Sequence, residues 1–215
     1  MKKKSIVLVL TVCLTVMLFS ACNKSGGYDS KISEIRDCIY VGVADGYDVK
    51  AVSGEREQNY CVDGVSHGRN EFFIVTLSAR LAQAPAYCME INGVKYEGTM
   101  TKHPFNDEYT CEIPVHVHSQ SVDVVFTISS NTVNATLQTV NDGSFSSWES
   151  ALEGAVKELC IAKDFDGEIY VRLIENPVKN DGKYFWYVAF CTSKDDCVSV
   201  LISVEDGKII AKKTA

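Results

Sequence analysis

Two histidines separated by one residue are the clearest chemical signal in the chain. His116 and His118 flank Val117, and residues i and i+2 of an extended strand share one face. Two imidazoles on one face can chelate a metal ion. No acidic or thiol ligand is adjacent on that strand, and His67 or His103 could join the pair only through folding. The pair is therefore a weak metal-site candidate, and a solvated strand end is the simpler interpretation.

Cysteines raise the questions of disulfides and of a catalytic thiol. The chain has nine, without a CxxC motif, and the regular spacing of a disulfide framework is missing. Most are expected to be buried free thiols that act as small hydrophobic residues. Cys191 and Cys197 are the best disulfide candidates, because their bond would close a short loop.

Catalytic motifs give no support for an enzyme. No cysteine has sequence neighbours that would lower its pKa, and the signatures of serine hydrolases, zinc proteases and phosphate-binding loops are missing from the sequence. We therefore expect no enzyme activity and no cofactor. An enzyme, or an enzyme's accessory subunit, with a site assembled from residues distant in sequence stays open as an alternative.

Four consecutive aromatic residues, 184–187, begin a strand near the C-terminus. Strand alternation predicts that Trp186 faces one way and Tyr187 the other. Tyr170 is expected to share the second face with Tyr187, together with Arg172. That face either packs against the rest of the protein or forms a surface that contacts peptide or glycan, for which amphipathic aromatic residues are suited.

Short strands dominate the first two thirds of the chain. Ile32, Ile35 and Ile39 recur at helical spacing and predict one short helix over residues 30–39. From residue 47 to residue 140 the apolar period changes to two, and Asn92-Gly93 is a strong hairpin signal. The expected strands are 48–53, 58–62, 73–77, 87–91, 94–98, 109–117, 122–128 and 133–137. Their spacing indicates a β-sandwich of immunoglobulin-like architecture over residues 29–142.

The last third predicts a helix followed by antiparallel strands. Trp148–Cys160 has helical apolar spacing, and Ser146 with Glu149 fits a capping box. The strands 168–174, 184–191, 197–204 and 209–211 follow, so the fold class is α+β and mostly β, with a small helix-on-sheet domain over 146–215. The helix, Tyr184–Phe190, Val198–Val204 and the Glu205-Asp206-Gly207-Lys208 turn resemble a PepSY-type domain. That resemblance implies that this part restrains a secreted peptidase.

The N-terminal segment predicts export. Three lysines at positions 2–4 precede a short apolar run, which is typical of a signal peptide and is shorter than the ~20 residues of a spanning helix. The segment ends Leu18-Phe19-Ser20-Ala21-Cys22 and resembles a bacterial lipobox. The resemblance implies cleavage after residue 21, lipid on Cys22, and a short tether over residues 22–28. Its alternative is an ordinary secretory signal that leaves Cys22 as a free thiol.

Charge limits the partners. The chain has 21 basic and 28 acidic residues, and removal of a signal that carries three lysines makes the mature protein more acidic still. Nucleic acid is not an expected partner, because phosphate binding needs a basic surface. The sequence therefore predicts a lipid-anchored, extracytoplasmic, non-catalytic module that binds proteins or peptides or regulates a peptidase. A metal-binding lipoprotein that uses His116 and His118 is the other alternative.

Overall fold

The computed structural model describes residues 27–58, 61–179 and 181–214. The predicted signal peptide, Cys22 and most of the tether lie outside these ranges. After a 3-10 turn at Asp29–Lys31, the elements are β1 (Ile32–Ala44), β2 (Tyr47–Glu57), β3 (Arg69–Ser78), β4 (Ala86–Ile91), β5 (Val94–Thr99), β6 (Thr101–Lys102), β7 (Glu108–Ile113), β8 (Ser121–Ile128), β9 (Asn131–Thr139), α1 (Trp148–Glu158), β10 (Glu168–Glu175), β11 (Tyr184–Ser193), β12 (Asp196–Ser203) and β13 (Ile209–Lys213). Within these ranges no helix has the length and apolar character needed to cross a bilayer.

β1 replaces the helix predicted over residues 30–39. It pairs antiparallel with β2 through a two-residue hairpin at Asp45 and Gly46, which both have positive φ as a tight hairpin requires. Ile32, Ile35 and Ile39 still reach one core. Their helix-like spacing has a different cause, because register irregularities after Ile32 and after Arg36 interrupt the alternation of the strand.

All strands belong to one hydrogen-bonded system in which β1 is the shared member. One path runs β13-β12-β11-β10-β1-β2-β3-β7-β6, and a second branch runs β5-β4-β8-β9 and joins β1. The first half of β1 pairs in parallel with β10, at Arg36 with Arg172 among others. Its second half pairs with β9 at Tyr40 and Val41. The mostly-β, α+β fold class expected from the sequence is confirmed.

The two larger hydrophobic cores lie in different parts of this system. The sandwich core fills the space among β1–β4 and β7–β9 and contains the fully buried Tyr40, Phe73 and Phe126. The second core lies between α1 and the sheet β1-β10-β11-β12, with Trp186 among its buried members. The predicted alternation along β11 is confirmed, since Trp186 lies in this second core with Val188 and Phe190, whereas Tyr187 packs on the other side of the sheet.

The helix is confirmed, but its cap is one residue later than predicted. Ser147 is the N-cap, and its Oγ accepts a hydrogen bond from the Ser150 backbone N–H at 3.3 Å. Ser146 is held in tertiary contacts instead. Its N–H donates to the Val204 carbonyl at 2.7 Å, and its own carbonyl accepts from the Trp186 indole at 3.0 Å. These two hydrogen bonds fix the backbone where it enters the helix, so the N-cap is the next residue, Ser147.

Two predicted strands need correction. Residues 58, 61 and 62 lie outside any strand, and residues 59–60 are not among the described ones. β7 ends at Ile113, so residues 114–117 belong to an irregular connection and not to a strand. The Asn92-Gly93 hairpin is confirmed, with positive φ at both residues. The boundary between the predicted domains 29–142 and 146–215 stays a prediction, and β1 contributes hydrogen bonds to both sides of it.

Candidate metal centre

Four potential metal ligands of three chemical types converge where β1 meets the connection between β7 and β8. Asp37, Cys38, His116 and His118 each offer one ligand atom, and these atoms all lie within 4.8 Å of one another. Asp37 and Cys38 come from β1, whereas both histidines come from residues 114–120. The structure thus brings the two histidines of the sequence prediction together and adds a carboxylate and a thiol.

A β-bulge explains how two consecutive residues of β1 reach one site. In a regular strand Asp37 and Cys38 would point to opposite faces. Arg36 pairs with Gly54 of β2 and Cys38 pairs with Ser53, so Asp37 is the extra residue of the bulge. A bulge redirects side chains in this way. The bulge also brings the backbones of β1 and β2 so close together that a Cβ at Gly54 would lie 2.0 Å from the Ile35 carbonyl oxygen.

The histidine segment is held by buried groups of β1 and β2. The Val117 N–H donates to Ser53 Oγ at 2.7 Å, which fixes the backbone between the two histidines. Tyr40 Oη lies 3.0 Å from the Val117 carbonyl oxygen and 2.9 Å from that of Ser119, so one phenol proton serves two acceptors. Because these anchors are buried, the irregular segment has a defined position without belonging to a strand.

Electrostatics in the site favour a carboxylate–imidazole pair. His116 Nε2 lies 2.7 Å from Asp37 Oδ1. Burial by itself lowers the pKa of His116. The hydrogen bond to Asp37 and the negative charge of that carboxylate raise the pKa, and together they outweigh the effect of burial, so the net shift is upward. Burial and the Asp37 carboxylate raise the pKa of the Cys38 thiol to about 12. Without a metal the thiol is therefore protonated, and a bound cation would have to replace its proton.

The dimensions and the ligand types suit zinc. Ligands bonded to zinc at about 2.0–2.3 Å in a tetrahedron lie about 3.3–3.8 Å from each other. The observed limit of 4.8 Å between ligand atoms is thus within reach of small side-chain adjustments. One thiol, two imidazoles and one carboxylate form a borderline-soft set, which suits zinc better than magnesium or calcium.

Solvent reaches the site on the side of the two histidines. His116 is half-buried, whereas His118 is exposed. A surface cavity of about 440 Å³ is lined by both, together with Asn92, Ser121 and Asp123. The cavity opens both imidazoles to solvent, so a metal ion can reach the histidine side of the site.

The other predicted site residues lie elsewhere. Tyr170 is only 2% exposed and packs with Ala189 and Cys191 beneath Val62, so it belongs to a small core and not to a ligand surface. Tyr187 is half-buried and lines a groove on the β10–β13 sheet. The sulfurs of Cys191 and Cys197 are bonded to each other in the structure, across the paired strands β11 and β12. Cys22 lies outside the described residues.

Asp37 and Cys38 are the site residues that sequence reasoning missed. They lie in the segment interpreted as a helix, where neither has a metal-ligand spacing. The signal that could have found the strand is Asp45-Gly46, a two-residue hairpin pair of the same kind as Asn92-Gly93. Even a correct strand assignment would have separated the two ligands onto opposite faces, because the bulge has no sequence signature of its own.

Comparisons with known proteins add no assignment. No family model matches the chain, and no curated protein or solved structure is similar to it at a significant level.

Proposed function

We propose that this protein is a zinc-binding lipoprotein that holds one ion through Asp37, Cys38, His116 and His118 on the outer side of a membrane. The observation that carries the proposal is the convergence of these four ligand atoms within 4.8 Å. A carboxylate, a thiol and two imidazoles at one point suit a transition-metal ion. The lipobox-like segment that ends at Cys22 supports the location.

The ligand count favours binding over catalysis. Structural zinc sites use four protein ligands, whereas catalytic sites keep one position open for water or substrate. Asp37, Cys38, His116 and His118 together would fill a tetrahedral shell. The exposed position of His118 would let the ion exchange with solvent, which suits a protein that captures or carries zinc.

The test is a zinc titration of the full chain, purified in detergent with a reductant that keeps Cys38 as a thiol. We expect one zinc ion per chain by elemental analysis and calorimetry. Cys38→Ser and His118→Gln should each weaken binding by at least about tenfold, since each removes a ligand. His67→Gln is the matched control, because His67 is an exposed histidine outside the cluster.

A cobalt-substituted sample identifies the ligands directly. Thiolate ligation by Cys38 gives a sulfur-to-cobalt charge-transfer band in the near ultraviolet, which the Cys38→Ser variant should lack. No saturable zinc binding by the parent chain would overturn the proposal, and so would equal affinity in the Cys38→Ser, His118→Gln and His67→Gln proteins.

The membrane location has its own test. Cys22→Ser removes the acylated group, so that variant should move from the detergent phase to the aqueous phase in a partitioning assay. Unchanged partitioning would contradict the lipid anchor and would leave the zinc titration unaffected.

A further inference from the structure

A basic groove crosses the face of the C-terminal sheet that is opposite to α1. Its position follows from strand register, because one row of paired residues runs straight across five strands. Arg36 pairs with Arg172, Arg172 with Tyr187, Tyr187 with Leu201, and Leu201 with Ala211. Lys213 follows beside this row, opposite Ser199. The groove, of about 540 Å³, is lined by Arg36, Arg172, Tyr187, Leu201, Ala211 and Lys213, among others.

One end of the basic groove holds two guanidiniums around a buried carboxylate. Glu34 is 1% exposed. Its Oε1 accepts from Arg36 Nη2 at 2.9 Å, and its Oε2 lies 2.7 Å from Arg172 Nη2. Two arginines directly opposite each other on paired strands would repel, and the Glu34 carboxylate lies between them and contacts both. Both guanidiniums are therefore held in defined orientations at this end of the groove.

The middle of the basic groove is apolar and its far end is basic again. Tyr187 and Leu201 form the floor between the two ends. Lys213 is exposed at the far end, on β13 at the edge of the sheet. Lys212 beside it is turned to the α1 side of the sheet, where it pairs with Glu158 at 2.9 Å, so Lys213 provides the charge at this end. The order of the groove is thus cationic, apolar, cationic.

Three cationic side chains, Arg36, Arg172 and Lys213, lie along this groove, although the formal net charge of the chain is −7. Guanidinium groups match planar carboxylates in two-pronged hydrogen bonds. From β1 to β13 there are four strand spacings, or about 19 Å, which an extended peptide covers with about six residues. A free phosphate would leave the apolar floor unused, whereas the apolar side chains of a peptide can pack on Tyr187 and Leu201.

We propose that the basic groove binds an extended acidic peptide whose carboxylates pair with the cations at the two ends and whose apolar side chains pack on Tyr187 and Leu201. The peptide crosses the strands of the sheet. This inference is independent of the metal centre, since neither Asp37, Cys38, His116 nor His118 lines the groove.

The probe is a dye-labelled peptide with two glutamates at each end and four alternating leucines and valines between them. Its binding to the full chain in detergent is followed by fluorescence anisotropy. The matched probe has glutamine in place of every glutamate. We expect saturable binding of the acidic probe that weakens as salt is added, and at least fivefold weaker binding of the glutamine probe, because its carboxylates are missing.

The decisive variant is Lys213→Glu, with Lys102→Glu as its control. Both lysines are exposed residues on short strands at opposite ends of the same strand path, so both variants change the net charge equally and neither disturbs a core. We expect about a five- to tenfold loss of affinity for Lys213→Glu and less than about twofold for Lys102→Glu, in keeping with the modest strength of exposed charge pairs.

Four results would overturn the proposal. The first is the lack of saturable binding of the acidic probe, and the second is equal binding of the two probes. The third is an equal response of the Lys213→Glu and Lys102→Glu proteins. Phosphatidylglycerol vesicles added to the chain that lacks its lipid, Cys22→Ser, serve as a competitor. Displacement of the probe by these vesicles, but not by unlabelled peptide, would assign the groove to a lipid surface and would also refute the peptide.

Discussion

The metal centre and the basic groove use the same stretch of β1 in opposite ways. Arg36 lines the groove, and the next two residues, Asp37 and Cys38, reach the metal centre. The groove arises from regular pairing, in which one row of side chains continues across neighbouring strands. The metal centre arises from an interruption of that pairing, in which one extra residue redirects its neighbours. A regular sheet can build a long surface, whereas bringing adjacent residues to one point requires an irregularity.

The two sites also differ in what holds them. The basic groove depends on one buried ion cluster, in which Glu34 orients two arginines. The metal centre depends on buried hydrogen bonds of the histidine segment, which accepts from the Tyr40 hydroxyl and donates to Ser53 Oγ. Substitutions in each set of supports should therefore separate the two sites, and a substitution at the bulge should damage both.

The largest effect is expected for Gly54→Ala. The new Cβ would lie 2.0 Å from the Ile35 carbonyl oxygen and 2.9 Å from the Arg36 Cα. Backbone atoms cannot move away cheaply, so β1 and β2 must separate at the bulge. We expect the free energy of unfolding, measured by urea denaturation, to fall by more than about 3 kcal/mol. Zinc affinity and peptide affinity should both fall.

Gly68→Ala is the control for this change. Nothing lies within 4 Å of a Cβ at Gly68, and its φ is not in the left-handed region. Its unfolding free energy should therefore stay within about 0.5 kcal/mol of the parent value. A Gly54→Ala protein with parent stability and both affinities intact would show that the bulge does not join the two sites.

An intermediate effect is expected for Glu34→Gln, which acts on the basic groove. The substitution keeps the shape of the side chain but removes the charge between Arg36 and Arg172. Breaking a fully buried ion pair costs about 3–5 kcal/mol, and we expect about 2–3 kcal/mol here because the two arginine side chains are 30% and 23% exposed. Denaturation measures the stability, and the peptide affinity should change while the zinc affinity stays the same.

Glu168→Gln provides the comparison for Glu34→Gln. Glu168 is also fully buried, but its carboxylate accepts from the Gly64 N–H at 3.0 Å and from Ser33 Oγ at 3.4 Å, and within the described part of the chain no arginine forms an ion pair with it. Its replacement by glutamine should cost less than the Glu34 change. Equal losses of unfolding free energy would mean that the charge of Glu34 does not stabilise the protein through the two arginines.

The smallest effect on stability, and the most specific one, is expected for Tyr40→Phe. The phenol proton serves the Val117 and Ser119 carbonyls, and a buried acceptor without its donor costs about 1–3 kcal/mol. The histidine segment should loosen, so we expect roughly tenfold weaker zinc binding in calorimetry, as for other groups that orient ligands. Peptide binding should not change.

Tyr109→Phe is the matched control for Tyr40→Phe. Tyr109 is buried in the same sandwich core, and its hydroxyl donates to the Leu81 carbonyl at 2.9 Å. The stability loss should be similar, without any change in zinc affinity. A similar zinc affinity in the Tyr40→Phe and Tyr109→Phe proteins would remove Tyr40 from the supports of the metal centre.

Much of the fold follows from local patterns in the sequence. Helix α1 is encoded by apolar spacing, and the β4–β5 hairpin by Asn92-Gly93, because these signals depend only on neighbouring residues. The assignment of β11 faces follows from alternation in the same way. β1 was assigned wrongly because irregular register gave three isoleucines a helical spacing, and local reasoning cannot distinguish the two causes.

By itself the sequence determined the class of the fold, the secondary structure of most segments and the residue types available for chemistry. The pairing of His116 with His118 was already visible in it. Only the tertiary structure decided that Asp37 and Cys38 join these histidines, because 79 positions of the sequence separate Asp37 from His116. It likewise decided that residues from five strands form one basic groove. Side chains that meet through long-range strand pairing carry no signature in local spacing, because register is fixed by the packing of the whole sheet.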